Sequence, residues 1–171
     1  MDELNYASVG WTVARMARQV EVALAPLDLS PAQYRMLVQI ARGTDASSSL
    51  AQKLAVSAPS VTTVVDGLVQ RGAVVRAHSR EDRRRIALTL TTSGQNLLLH
   101  AEEALEGKFG AIAGELEDEA LAGQAMAALS LWGDALDRAR ARRHAEQEGT
   151  GQRETGQRET GQRETRAGAR R

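Results

Sequence analysis

Residues 56–72, VSAPSVTTVVDGLVQRG, leave the chain little local freedom. Ser57 is an N-cap candidate, Pro59 falls in a first turn where no helical donor is lost, and Gly72 ends the segment. Between them Val61, Val64, Val65 and Leu68 recur at i, i+3, i+4 and i+7, the period of a helix with one buried side. The other side carries Ser60, Thr62, Thr63 and Asp66, all small and polar. Just before it, Leu50, Ala51 and Leu54 mark a short helix over about 49–55. A short helix, a tight turn and a second helix with a small polar face make the pattern of a helix-turn-helix.

What surrounds this pair extends the pattern. In LDLSPAQYRML, Ser30 is a cap, Pro31 fits the first helical position and Gln33 completes a capping box, so a helix is expected over about 31–42. After Gly72, AVVRAH and RIALTLT change to period-two alternation, with Ile86, Leu88 and Leu90 on one face and Arg85, Ala87 and Thr89 on the other. Two short strands therefore flank HSREDRRR, His78 to Arg85, as the tip of a hairpin. A first helix over about 2–25 carries Leu4, Ala7, Trp11, Ala14 and Ala17. Long helices are expected over 93–113, with Leu97, Leu98, Ala101, Leu105, Phe109 and Ile112, and over 117–143, with Leu121, Ala125, Leu129, Trp132 and Leu136. The expected fold is mainly α with a small β-hairpin wing: a winged helix-turn-helix over about 31–92 plus a helical dimerisation region, all within residues 1–144. Residues 145–171 contain three copies of GQRET, with a glycine every fifth position and no large apolar side chain, and are expected to be a disordered tail.

The formal net charge is zero, but the charge is not spread evenly. Residues 71–85 hold six arginines against Glu81 and Asp82, whereas residues 102–119 hold seven acids against Lys108. Exposed ion pairs contribute only ~0–1 kcal/mol each, so local stability is a poor reason to crowd arginines at one tip. An external polyanion is a better one, and a basic tip on an acidic body can orient on it without an overall positive excess.

Little points to catalysis. The chain has no cysteine, which excludes disulfides and thiolate metal sites. Its three histidines, His78, His100 and His144, are far apart in sequence, no glycine-rich phosphate loop follows a strand, and no serine elbow occurs. The expectation is a protein that is not an enzyme and has no cofactor and no metal. No apolar run approaches the ~18 residues of a membrane span and no charged-then-apolar leader opens the chain, so a soluble, cytoplasmic protein is expected.

DNA reading accounts for more of these residues at once. A helix entering the major groove needs small hydrogen-bonding side chains that let the backbone come close, and Ser57, Ser60, Thr62 and Thr63 supply them. A hairpin bearing arginines can place one in a minor groove. A lone helix-turn-helix grips too few base pairs, which calls for a homodimer on an inverted-repeat operator in double-stranded DNA. Leu4, Trp11, Leu121, Leu129, Trp132 and Leu136 are the candidate dimer contacts.

The run from Leu50 to Gly94, preceded by LDLSPAQYRML, resembles the winged helix-turn-helix core of the MarR (multiple antibiotic resistance regulator) family of bacterial transcription factors. The resemblance covers about 2–143. Its most specific parts are Asp82 and Arg84 in the pattern D-x-R, the following I-A-L-T-L-T-x-x-G, and S-x-P-S-V-T from Ser57. It implies a wing arginine, Arg84, held by Asp82 and inserted into the minor groove, and DNA contacts from Ser57, Ala58, Pro59, Ser60, Thr62, Thr63, Arg80 and Arg83. It also implies homodimers joined through the first and last two helices, and a repressor that a small, often aromatic, anion releases from DNA. Many relatives carry arginine where this chain has Ala58 and Thr63, so affinity should lean more on the wing. Trp11, Arg15, Tyr34 and His100 are candidates for an effector pocket, with Arg15 pairing a carboxylate; the alternative is that Trp11 and Tyr34 are core or dimer contacts and Arg15 is solvated. The competing function is a winged-helix protein-interaction module without specific DNA binding.

Overall fold

The computed structural model describes the backbone of residues 6–78 and 86–168, and side chains over 8–77 and 87–143. Its elements are α1 (Tyr6–Leu24), a 3-10 turn (Ala25–Leu27), α2 (Pro31–Ala41), α3 (Ser47–Leu54), α4 (Ala58–Gln70), β1 (Val74–His78), β2 (Ile86–Leu90), α5 (Thr92–Ala113) and α6 (Glu119–Gly168). Two compact units result, Met1–Glu115 and Leu116–Arg171.

The first unit is built around α2, α3, α4 and the two strands. The capping box at α2 forms as the sequence requires: Ser30 Oγ accepts from the Gln33 N–H at 3.2 Å, and the Ser30 N–H donates to Gln33 Oε1 at 2.9 Å. At the end of α3 the chain turns through Ala55, whose φ of 53° lies in the left-handed region, and α4 starts at once behind the Ser57 cap. Arg35 of α2 donates to the Leu54 carbonyl at 2.8 Å, satisfying an acceptor that the end of α3 leaves open. Leu50 of α3, Val61, Val65 and Leu68 of α4, Met36 and Leu37 of α2 and Leu24 of α1 close one core.

The strands pair antiparallel with Val74 opposite Leu90 and Arg76 opposite Leu88, so Val74 and Leu88 turn into that core. The hairpin base is held on three sides. The Leu88 N–H donates to the Asp45 carbonyl at 2.9 Å, the Thr91 N–H to the Ala73 carbonyl at 3.1 Å, and Thr91 Oγ1 to the Gly72 carbonyl at 2.7 Å. Helix α5 approaches so closely that a Cβ on Gly94 would stand 1.9 Å from the Ala73 carbonyl oxygen. The glycine that ends I-A-L-T-L-T-x-x-G is thus a packing glycine.

Several boundaries move from their expected positions for local reasons. Helix α5 starts at Thr92 rather than Ser93, because Thr91 is the cap and accepts from the Gly94 N–H at 3.0 Å. Helix α3 starts at Ser47 rather than about 49. Helix α6 starts at Glu119, where Asp118 Oδ1 accepts from the Ala120 N–H at 2.8 Å. Its backbone runs on through the GQRET repeats to Gly168, where the composition argument expects an unstructured tail. Of the stripe expected along α1, Leu4 and Ala7 lie outside the described side chains and Trp11, Ala14 and Ala17 are exposed; the helix joins the core through Val20, Ala23 and Leu24 near its end.

Candidate nucleic-acid interface

Helix α4 has two faces with different duties. Val61, Val65 and Leu68 are fully buried, worth about 1.5–3 kcal/mol each on burial, and they fix the rotation of the helix. That rotation leaves Ser57, Ala58, Pro59, Ser60, Thr62 and Thr63 exposed together at and beyond the helix N-terminus. The six recognition-helix residues expected from sequence therefore share one outward surface.

The hydroxyls on this surface are already ordered. Ser57 Oγ caps the helix by accepting from the Ser60 N–H at 3.3 Å, and the two serine hydroxyls share one further bond at 2.8 Å. Thr62 Oγ1 donates to the Ala58 carbonyl and Thr63 Oγ1 to the Pro59 carbonyl, both at 3.1 Å. Both threonines so lose rotamer freedom before meeting any partner.

The basic stretch divides into structural and unassigned members. Arg71 donates to the carbonyls of Leu27 (2.6 Å) and Asp28 (2.5 Å), closing the turn ahead of α2. Arg76 of β1 pairs with Asp66 of α4 at 2.5 Å, which ties the first wing strand to the recognition helix. Sequence reading set Asp66 on the polar face but did not see this cross-element partner, since only the register of β1 against α4 creates it. Arg80, Asp82, Arg83 and Arg84, together with Arg85, lie outside the described residues.

Of the four effector-pocket candidates, Tyr34 packs half-buried against the core, whereas Trp11, Arg15 and His100 are exposed. Burial pushes the Tyr34 phenol above its ordinary value, the Glu102 carboxylate adds to this and Arg42 opposes it. Two open grooves among the described residues of this unit are lined by other residues. One runs past Arg18, Asp28, Gln33 and Arg71, and another past Asp45, Leu88, Leu99 and Glu102. Of the dimer candidates, Leu4 lies outside the described residues. Trp11 is 68% exposed, and Leu121, Leu129, Trp132 and Leu136 of α6 are 40–65% exposed. Val9, Val13, Met126 and Leu131 are further exposed apolar side chains on the same two helices. Among the described residues no group of three or more His, Cys, Asp or Glu could hold a metal, and no helix is long and apolar enough to cross a membrane.

A helix-turn-helix whose second helix is followed by a two-stranded hairpin defines a winged-helix protein. Comparison with known proteins narrows this. The model of the MarR family matches residues 27–85. The HTH-type transcriptional repressor YetL of Bacillus subtilis is 31% identical over 107 residues, which are 61% of this chain and 62% of YetL. The HTH-type transcriptional regulator FarR of Neisseria gonorrhoeae is 30% identical over 108 residues, 61% of this chain and 74% of FarR. The wild-type MarR of E. coli, solved in its apo form, superposes with a TM-score of 0.63 at 21% identity, covering 77% of this chain and 98% of that one. The chain belongs to the MarR family. Against YetL it spans about three-fifths of the relative's length.

Proposed function

We propose that the protein is a homodimeric, sequence-specific DNA-binding transcriptional regulator, acting as a repressor in the cytoplasm of a bacterial cell. The observation that carries this reading is the outward surface of α4: six small side chains, four of them hydroxyls ordered by their own hydrogen bonds, on a helix whose other face is locked into the core. Such a surface lets a helix backbone come close to base edges in the major groove. The wing arginines supply the phosphate and minor-groove contacts that a recognition helix without lysine or arginine lacks, with Asp82 holding Arg84 in position.

The exposed apolar side chains of α1 and α6 support a dimer, which would place two recognition helices one turn apart, ~10–10.5 bp, on an inverted repeat. Release by a small, often aromatic, anion, which the family resemblance implies for many members, is included in the proposal, with Arg15 as its counter-ion. Fluorescence anisotropy on the DNA upstream of the protein's own gene, at several salt concentrations, tests the central reading. Tight binding that exceeds binding to unrelated duplex, with an affinity that falls as salt rises, is the expected result. Equal affinity for both duplexes would sink it.

A further inference from the structure

Resting on the DNA-reading function just proposed, we infer that α4 selects A·T pairs in the major groove, through thymine methyl and adenine amino groups, and does not read guanine. Guanine offers two acceptors on its major-groove edge, O6 and N7, and its commonest partner is a forked cation. Helix α4, APSVTTVVDGLVQ, contains no lysine or arginine. Asp66, its only charged residue, is paired with Arg76. Gln70 stands at the far end of the helix, away from the N-terminal residues through which recognition helices touch bases.

The hydrogen-bond pattern then sets what the remaining side chains can accept. Thr62 and Thr63 each give their hydroxyl proton to a helix carbonyl, so each oxygen faces outward as an acceptor only. To donate to guanine, either would have to abandon that bond and leave a backbone carbonyl with one partner fewer. Accepting from an amino group costs no such bond. Adenine N6 and cytosine N4 both carry amino protons and both pairs show two acceptors, but thymine adds a methyl group that guanine lacks. Beside the hydroxyls, α4 exposes the apolar carbons of Ala58 and Pro59 and the two threonine methyls. An A·T pair satisfies both halves of this surface, whereas a G·C pair offers the amino group without the methyl; the two acceptors of either pair are left to water. The serine pair adds a single spare hydroxyl proton, which at a helix N-terminus suits a phosphate oxygen.

The test is selection from a randomised double-stranded DNA pool with the full-length protein, followed by base-analogue substitution in the selected duplex. The expected half-site is A·T-rich where α4 lies. Replacing a contacted thymine by deoxyuridine should weaken binding about fourfold, the equivalent of one buried carbon, while 7-deazaguanine should leave affinity within about twofold. Thr63→Val keeps the methyl and removes the acceptor. It should retain the deoxyuridine effect, lose adenine preference and leave the melting temperature unchanged, and Thr63→Arg should shift selection toward guanine. A selected site in which 7-deazaguanine costs tenfold or more and deoxyuridine costs nothing overturns the inference while leaving the DNA-reading function intact. A pool that enriches no sequence overturns that function, and the inference with it.

Discussion

The two units treat apolar surface in opposite ways. Over Met1–Glu115, leucines and valines from α1 to α5 close a core in which Leu24, Leu37, Leu50, Val61 and Leu68 are completely buried. Over Leu116–Arg171, α6 leaves Leu131, Trp132 and Leu136 60–66% exposed. The first unit closes a core and presents a polar, ordered face on α4, while α1 leaves Trp11 and Val13 exposed. The second carries apolar area that a single chain leaves in water, at about 25 cal/mol per Å². The difference separates what reads a partner through hydrogen bonds from what gains by covering a second apolar surface, and each half of it can be broken independently.

The largest effect is expected inside the first unit. Gly94→Val puts carbon into the Ala73 carbonyl, a backbone atom that cannot swing aside, and should cost about 3 kcal/mol or more and lower the melting temperature by roughly 10 °C. Thermal denaturation followed by circular dichroism measures it, and a melting temperature near the parent's would mean that α5 and the hairpin base are not held so close.

Next comes the second unit. Trp132→Glu combined with Leu136→Glu should convert a dimer at micromolar concentration to monomer in sedimentation, with the helical spectrum largely kept, because both side chains are exposed in the single chain. A parent protein that already sediments as a monomer would break the comparison, since the exposed face would then have no partner of its own kind.

At the wing, Arg84→Ala should cost about 1–3 kcal/mol of specific binding and flatten the salt dependence by about one phosphate equivalent. Asp82→Ala is the sharper variant. Removing an acid makes a basic tip more positive, so a purely electrostatic wing would bind more tightly, whereas a positioning wing loses specific affinity. Tighter operator binding by Asp82→Ala would reduce the arginine cluster to a charged handle.

The smallest effect is expected from removing residues 145–171. The repeats offer no large apolar side chain to a core, so the shortened protein should melt within about a degree or two of the parent and sediment in the same state. A clear loss of either would give the long α6 a stabilising role that its composition does not explain.

Much of the scaffold was legible because its signals are local. Ser30 with Gln33, Ser57 with Ser60, and the valine stripe of α4 each act within one or two turns, and they formed as the spacing requires. The start of α5 was misplaced by one residue, Ser93 for Thr92. Thr91 is fixed as its cap by a bond to the Gly72 carbonyl, made across the hairpin base. Within the candidate site, which small side chains lie together could be read from the helical period. Their hydrogen-bond state could not, since a threonine hydroxyl chooses between a helix carbonyl and an outside partner by geometry.

The sequence by itself determined the order of elements, the buried side of α4, the hairpin and the uncharged recognition surface, because periodicity and capping are properties of neighbours along the chain. Tertiary structure alone decided three things. It assigned Arg71 and Arg76 of the basic stretch to structural bonds, turned Trp11 outward rather than into the core, and made Gly94 indispensable. Each of these depends on a contact between elements distant in sequence, where the distance of approach and the direction of a side chain are set by packing and not by residue type.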